Sequence, residues 1–176
     1  MAWRSPRGRR ASTLTFGLAA LLVLTGGTLT VIASPASSTS LAWDWSIPIG
    51  RFAIGVDGLS LLFLVPVSLI PLLGLVYGHG YLEHVRAPDH TAPDGPAPIE
   101  RVRVFYGVLA GSLALLLVAR DSMLFIMAWE GMALASYFLI TTDSHDPDTR
   151  RAGWIYLVAT HVGTLALFAF FALLDT

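Results

Sequence analysis

Long apolar runs separated by short polar segments are the main feature of the chain. Five of these runs have about the length that an α-helix needs to cross the hydrocarbon of a membrane, at about 1.5 Å of rise per residue. They predict an all-α, polytopic bundle of about five transmembrane helices. The predicted spans are residues 14–33, 59–80, 104–119, 123–141 and 153–174.

The basic residues predict which side of the membrane each loop faces. All eleven are Arg, and Lys does not occur. The N-terminal segment 1–13, the 81–103 loop and the 142–152 loop carry nine of them, whereas the 34–58 loop and the turn at Arg120 carry one each. Arginine-rich loops stay on the cytoplasmic side. The N-terminus and these two loops are therefore predicted to be cytoplasmic, and the 34–58 loop external.

The first span has two interpretations. A basic start, an apolar run and small residues near Ala33 and Ala36 also fit a cleaved secretory signal peptide. The run 14–33 is longer than the usual apolar core of about 7 to 15 residues, and further spans follow it. A retained first helix, or signal anchor, is therefore favoured.

Polar residues at the ends of two spans predict helix caps. The 34–58 loop is rich in Pro, Ser and Trp, which indicates extended, interfacial structure. Asp57, at its end, is predicted to cap the second span, and Asp121 or Ser122 the fourth. Inside the spans, small residues such as Gly111 and Gly131 predict that neighbouring helices approach closely.

The composition excludes several classes of function. With 55% hydrophobic and 13% charged residues, the chain has too little charge to cover a soluble domain. It has no Cys, which excludes disulfides, thiolate metal sites and cysteine-held iron–sulfur clusters. The histidines of the polar linker, His79, His84 and His90, match no metal-ligand spacing. We therefore expect no metal, cofactor or nucleic acid, and a lipid bilayer as the surroundings.

Glu130 is the only acidic residue well inside a predicted span. An ionisable side chain in hydrocarbon costs several kcal/mol on most scales, so it usually marks a functional site. His161, in the fifth span, lies about 12 Å from the cytoplasmic end of its helix, against about 16 Å for Glu130. The two side chains could therefore interact if their helices touch.

Two explanations of this acid and this imidazole stay open at the level of sequence. A carboxylate and an imidazole at mid-membrane depth are the groups from which proton relays are built, with Glu130 as the proton carrier and His161 as a possible relay. Alternatively, Glu130 is only a protonated hydrogen-bond donor, and His161 pairs with Thr160, Thr164 or Ser136 to hold helices together.

The segment around Glu130 resembles a known family. Residues 125–139 read FIMAWEGMALASYFL, with Asp121 before them and Asp-Gly-Leu-Ser at 57–60. They resemble the antiporter-like membrane subunits of respiratory complex I, of membrane-bound hydrogenases and of multisubunit cation/proton antiporters. The resemblance covers residues 51–174, and the spacing of Tyr156, His161 and Gly163 leans toward the hydrogenase-4 and formate hydrogenlyase branch.

The resemblance implies a role for Glu130 in a proton path. In the family this Glu is coupled to a Lys on a later, broken helix, and nothing here matches that Lys. Family members have a dozen or more spans in two inverted repeats. The chain is therefore expected to be the N-terminal part of a truncated or split subunit, completed by the missing remainder.

The expected function follows from the same resemblance. It is a partial proton-translocating subunit of a redox-driven complex, of the NADH-quinone oxidoreductase or hydrogenase-4 type. We expect it in the cell (inner) membrane beside other membrane and peripheral subunits, which would hold the redox centres. The alternatives are a subunit of a cation/proton antiporter and a non-conducting assembly or remnant bundle.

Overall fold

A computed structural model describes four stretches of the chain, residues 39–45, 50–85, 98–142 and 147–174, together with Leu18, Thr25 and Gly26. The predicted first span, 14–33, lies outside the described residues apart from those three positions.

The described part of the chain consists of four long helices and one small sheet. The sheet pairs β1 (Thr39–Trp43) with β2 (Phe52–Val56), and the helices are α1 (Gly58–Val85), α2 (Pro98–Val118), α3 (Ser122–Ile140) and α4 (Pro147–Leu174). Each helix contains a segment that is long and apolar enough to cross a membrane. The prediction of an all-α, polytopic membrane bundle is confirmed, with four candidate spans in the described residues. The connection between the strands is too short for a parallel crossover, so they form an antiparallel hairpin.

Both loops that were predicted to be cytoplasmic are partly helical. The predicted loop 81–103 contains the end of α1, at Val85, and the start of α2, at Pro98. Helix α4 likewise begins at Pro147, inside the predicted loop 142–152. Proline is well suited to the first position of a helix, where its missing N–H has no partner to lose. The polar residues therefore mark the end of the apolar run and not the end of the helix.

The chain divides into two compact units. One contains residues 1–39 and 56–93, and within it α1. The Asp57 carboxylate caps this helix, as predicted, by accepting a hydrogen bond from the Ser60 N–H at 2.7 Å. Helix α1 then runs through Pro66 without interruption.

The other unit, residues 40–55 and 94–176, contains the hairpin and helices α2, α3 and α4. Helix α3 packs against α2 and against α4. A Cβ added to Gly131 of α3 would lie 2.9 Å from the Ser112 hydroxyl oxygen of α2, whereas one added to Gly111 would meet no atom within 4 Å. The predicted close approach therefore occurs at Gly131 and not at Gly111. Stacked rings of Phe105 and Phe138, 4.4 Å apart, also join α2 to α3.

Asp121 ties the hairpin to the turn between α2 and α3. One of its carboxylate oxygens caps α3 by accepting from the N–H groups of Met123 and Leu124, at 2.9 and 3.2 Å. The other accepts from the Arg51 N–H of the hairpin at 3.1 Å. The Arg120 N–H donates to the carbonyl of Ala53 at 2.8 Å. Of the two predicted caps of α3, the structure uses Asp121, which also fixes the hairpin.

Replacing Gly50 by Ala is expected to loosen this junction. Gly50 has a φ of +78°, and an added Cβ would lie 2.7 Å from a carboxylate oxygen of Asp121 and 2.8 Å from the Met123 Cβ. A side chain in this backbone conformation costs about 1–3 kcal/mol. The measurement is the free energy of unfolding in lipid bicelles, with Gly111→Ala as the control because its Cβ enters open space. Equal stability of the two variants would contradict the expectation.

Candidate functional site

Helices α3 and α4 bring together the two residues that the sequence singled out. The Glu130 Oε1 atom of α3 lies 2.9 Å from the His161 Nε2 atom of α4. Because α3 begins at Ser122, Glu130 stands about 12 Å along the helix, well inside its apolar span. We refer to these two residues as the Glu130–His161 pair. Such a short contact between a carboxyl and an imidazole allows a proton to pass between them.

Thr164 holds the second oxygen of Glu130. Its hydroxyl donates to Glu130 Oε2 at 2.9 Å, and the Thr160 carbonyl oxygen lies 3.1 Å from the same hydroxyl oxygen. A hydroxyl has one proton to donate and two lone pairs that accept. Thr164 can therefore donate to a charged carboxylate, or accept from a protonated one while it donates to Thr160. The site accommodates both states of the acid.

The imidazole of His161 is anchored on its own helix. Its Nδ1 atom lies 2.8 Å from the Leu157 carbonyl oxygen, four residues earlier. The Thr160 hydroxyl donates to the same carbonyl oxygen at 2.9 Å. Residues four apart lie on one face of a helix, as do residues three apart such as His161 and Thr164. This spacing presents the imidazole and the Thr164 hydroxyl together to Glu130.

The structure gives the Thr164 hydroxyl a different partner from the one considered in the sequence. Thr164 was considered as a partner for His161, but it binds Glu130 instead. Ser136, the other candidate on α3, donates to the Met132 carbonyl of its own helix at 2.9 Å. The spacing of three residues between His161 and Thr164 was the signal that could have placed both on Glu130.

The pair lies at the surface of the α3–α4 contact. The side chain of Glu130 is 28% exposed and that of His161 is 50% exposed. The described helices therefore leave part of both side chains uncovered. Among the residues that the structure describes, no group of three or more His, Cys, Asp or Glu side chains is placed to hold a metal ion.

Residues 119–176, which include the whole pair, match the family model described as NADH:quinone oxidoreductase/Mrp antiporter, TM. The chain is also similar to subunit L of NADH-quinone oxidoreductase from Escherichia coli K12, with 32% identity over 136 residues, 74% of this chain and 20% of the relative. Its similarity to subunit L from Mycobacterium tuberculosis is 29% over 173 residues, 94% of this chain and 25% of the relative. The chain thus spans about a fifth to a quarter of the length of these relatives.

The family match agrees with the architecture of the described residues. The matched residues begin at the turn before α3 and include α4. The apolar helices identify a multi-pass membrane protein. The resemblance seen in the sequence around Glu130 is confirmed by both comparisons. The chain belongs to the family of antiporter-like membrane subunits that the NADH:quinone oxidoreductases share with the Mrp antiporters.

Proposed function

We propose that the chain is a proton-translocating part of a membrane subunit in a redox-driven complex of the NADH-quinone oxidoreductase type. Glu130 is its proton carrier, and His161 exchanges the proton with it. The observation that carries this proposal is the 2.9 Å contact between Glu130 Oε1 and His161 Nε2, made between two apolar helices.

The cost of ionisable groups in a membrane supports a functional role for the pair. Acidic and basic side chains inside transmembrane segments are rare, and they mark ion and proton pathways. A purely structural contact between α3 and α4 needs no titratable group, because small residues and hydroxyls hold membrane helices together. Here both partners have ionisable side chains, and each has its other polar atom hydrogen-bonded. The arrangement favours proton exchange over simple helix association.

The partners and the location belong to the same proposal. The two relatives are named as subunits of an NADH-quinone oxidoreductase. By analogy, other membrane and peripheral subunits would surround this chain and hold the redox centres, in the cell (inner) membrane. The distribution of Arg supports a cytoplasmic N-terminus. A narrower proposal, a complex of the hydrogenase-4 type, is supported by the spacing of Tyr156, His161 and Gly163.

A second candidate is a subunit of a cation/proton antiporter. It is favoured by one observation, namely that the matching family description includes the Mrp antiporters. The same pair would then exchange protons against a cation gradient, without an electron donor.

Inverted membrane vesicles from the host, with and without the chain, test the two candidates. The electron donor alone should acidify vesicles that contain the chain more than vesicles that lack it. If a sodium gradient drives the chain-dependent acidification and the electron donor does not, the chain is a subunit of a cation/proton antiporter. Equal acidification with and without the chain under both conditions would contradict both candidates and indicate a non-conducting bundle.

A further inference from the structure

We propose that His161 exchanges protons through Nε2 alone, so that it stores a proton for Glu130 and does not pass it onward through the ring. This inference rests on the proposed function, since it describes how the same pair works. It concerns the direction of proton movement, which family membership and the contact of the two side chains leave open.

The Nδ1 atom of His161 carries a proton, as its hydrogen-bond partner shows. It lies 2.8 Å from the Leu157 carbonyl oxygen. A backbone carbonyl has lone pairs and no proton, so in this contact it can only accept. Nδ1 must therefore carry the proton. When the imidazole is neutral, Nε2 has no proton and its lone pair faces Glu130.

One proton lies between Glu130 Oε1 and His161 Nε2. Without a proton, two lone pairs would oppose each other at 2.9 Å, and with two protons an O–H would face an N–H. The contact therefore holds one proton. On transfer the O–H bond breaks, the N–H bond forms, and the electron pair stays on the carboxylate. The pair has no net charge before or after this transfer, which limits the cost of the exchange in a membrane.

The surroundings of Nδ1 exclude a proton path through the imidazole ring. A through-ring relay takes up a proton at one nitrogen and releases another from the opposite nitrogen. The acceptor beside Nδ1 is a backbone carbonyl oxygen, which accepts a hydrogen bond but is far too weak a base to take the proton up and pass it on. A proton stored on Nε2 therefore returns to Glu130 Oε1. The other oxygen, Oε2, faces the Thr164 hydroxyl, which can donate or accept. We therefore assign the uptake and release of protons by the pair to Glu130 Oε2, the oxygen that faces Thr164.

No other charged side chain enters this exchange in the described part of the chain. Within the described ranges, Glu130 and His161 form no hydrogen bond or ion pair with a further titratable group. The remaining titratable residues of the three packed helices are Glu100, Arg101, Arg103, Tyr106, Tyr137, Asp148, Arg150, Arg151 and Tyr156. The tautomer of His161 is thus set by Leu157 and by the pair itself.

Nitrogen NMR of the full chain in lipid bilayers tests the inference, because protonated and unprotonated imidazole nitrogens have well-separated chemical shifts. The chain contains five His, and the signal that disappears in His161→Gln is assigned to His161. The spectra are recorded for Glu130→Gln, whose amide can donate to Nε2. The pH is set well above the ordinary histidine pKa of about 6.5, so that the imidazole is neutral. We expect a protonated Nδ1 and an unprotonated Nε2. A proton on Nε2 would overturn the inference.

The nitrogen NMR spectrum of the wild-type chain provides a second test that does not depend on the variant. The wild-type His161 should carry a proton on Nδ1 under the same conditions, whether or not Nε2 is also protonated. An unprotonated Nδ1 would overturn the inference equally. The NMR result requires no transport, so this inference can fail while proton translocation through Glu130 stands, and the reverse also holds.

Discussion

Replacing Glu130 by Gln is expected to reduce electron-driven proton translocation by about 10²-fold or more, the scale on which a positioned proton-transfer group acts. The amide has the shape of the carboxyl group. Its oxygen can accept from the Thr164 hydroxyl, and its NH₂ can donate to His161 Nε2, so both contacts of Glu130 can be kept. Only the ability to bind and release a proton is removed. The measurement is the initial rate of acidification of inverted vesicles after addition of the electron donor.

Asp44→Asn is the matched control for this substitution. The Asp44 side chain is 84% exposed, and its partner, Arg51, is 68% exposed at a distance of 3.2 Å. An exposed ion pair of this kind contributes about 0–1 kcal/mol. The control therefore removes an acid outside the pair, and acidification should keep its wild-type rate. A wild-type rate in Glu130→Gln would show that this carboxyl group carries no protons.

Two substitutions of His161 are expected to separate proton storage from structural support. In His161→Gln the side-chain amide reaches the place of Nε2 and can still donate to Glu130, whereas in His161→Asn the shorter amide stays near the place of Nδ1. Both variants lose the imidazole Nε2 atom that accepts the proton, so both should lower the acidification rate. Only Asn leaves Glu130 Oε1 without its partner, and it should lower the free energy of unfolding by about 1–3 kcal/mol.

The two His161 variants act as controls for each other. The rates come from vesicle acidification, and the stabilities from unfolding in bicelles. A rate in His161→Gln equal to that of the wild type would exclude His161 from proton exchange. Equal stability of the Asn and Gln variants would show that the contact with Glu130 Oε1 does not support the fold.

The sequence located the pair but not its full set of contacts. Glu130 could be found because a charge in an apolar run is costly, and the depth of His161 followed from the rise per residue. Depth does not fix which face of a helix points toward its neighbour. The role of Thr164 was therefore missed, since a hydroxyl in a helix commonly bonds to its own backbone. The spacing of Gly131 and Ala135 predicted a close approach beside Glu130, and the neighbour at Gly131 is Ser112 of α2.

The helix ends and the hairpin were less predictable for physical reasons. Hydropathy reports where the apolar surface ends, whereas the hydrogen bonds of a helix continue into polar sequence, as they do after Pro98 and Pro147. The position of the hairpin depends on contacts between residues distant in the chain, such as the hydrogen bond from the Arg51 N–H to Asp121. Extended structure was predicted for that region, but its partner could not be read from local pattern.

Infrared difference spectroscopy of the membrane complex tests most directly whether Glu130 changes its protonation during turnover. The spectrum of the working complex minus that of the resting complex reports the C=O stretch of any carboxylic acid that gains or loses a proton. We predict a band of this kind in the wild type and in Asp44→Asn, and its loss in Glu130→Gln. The same carboxylic-acid band in the wild type and in Glu130→Gln would contradict the proposed role of Glu130 as the proton carrier.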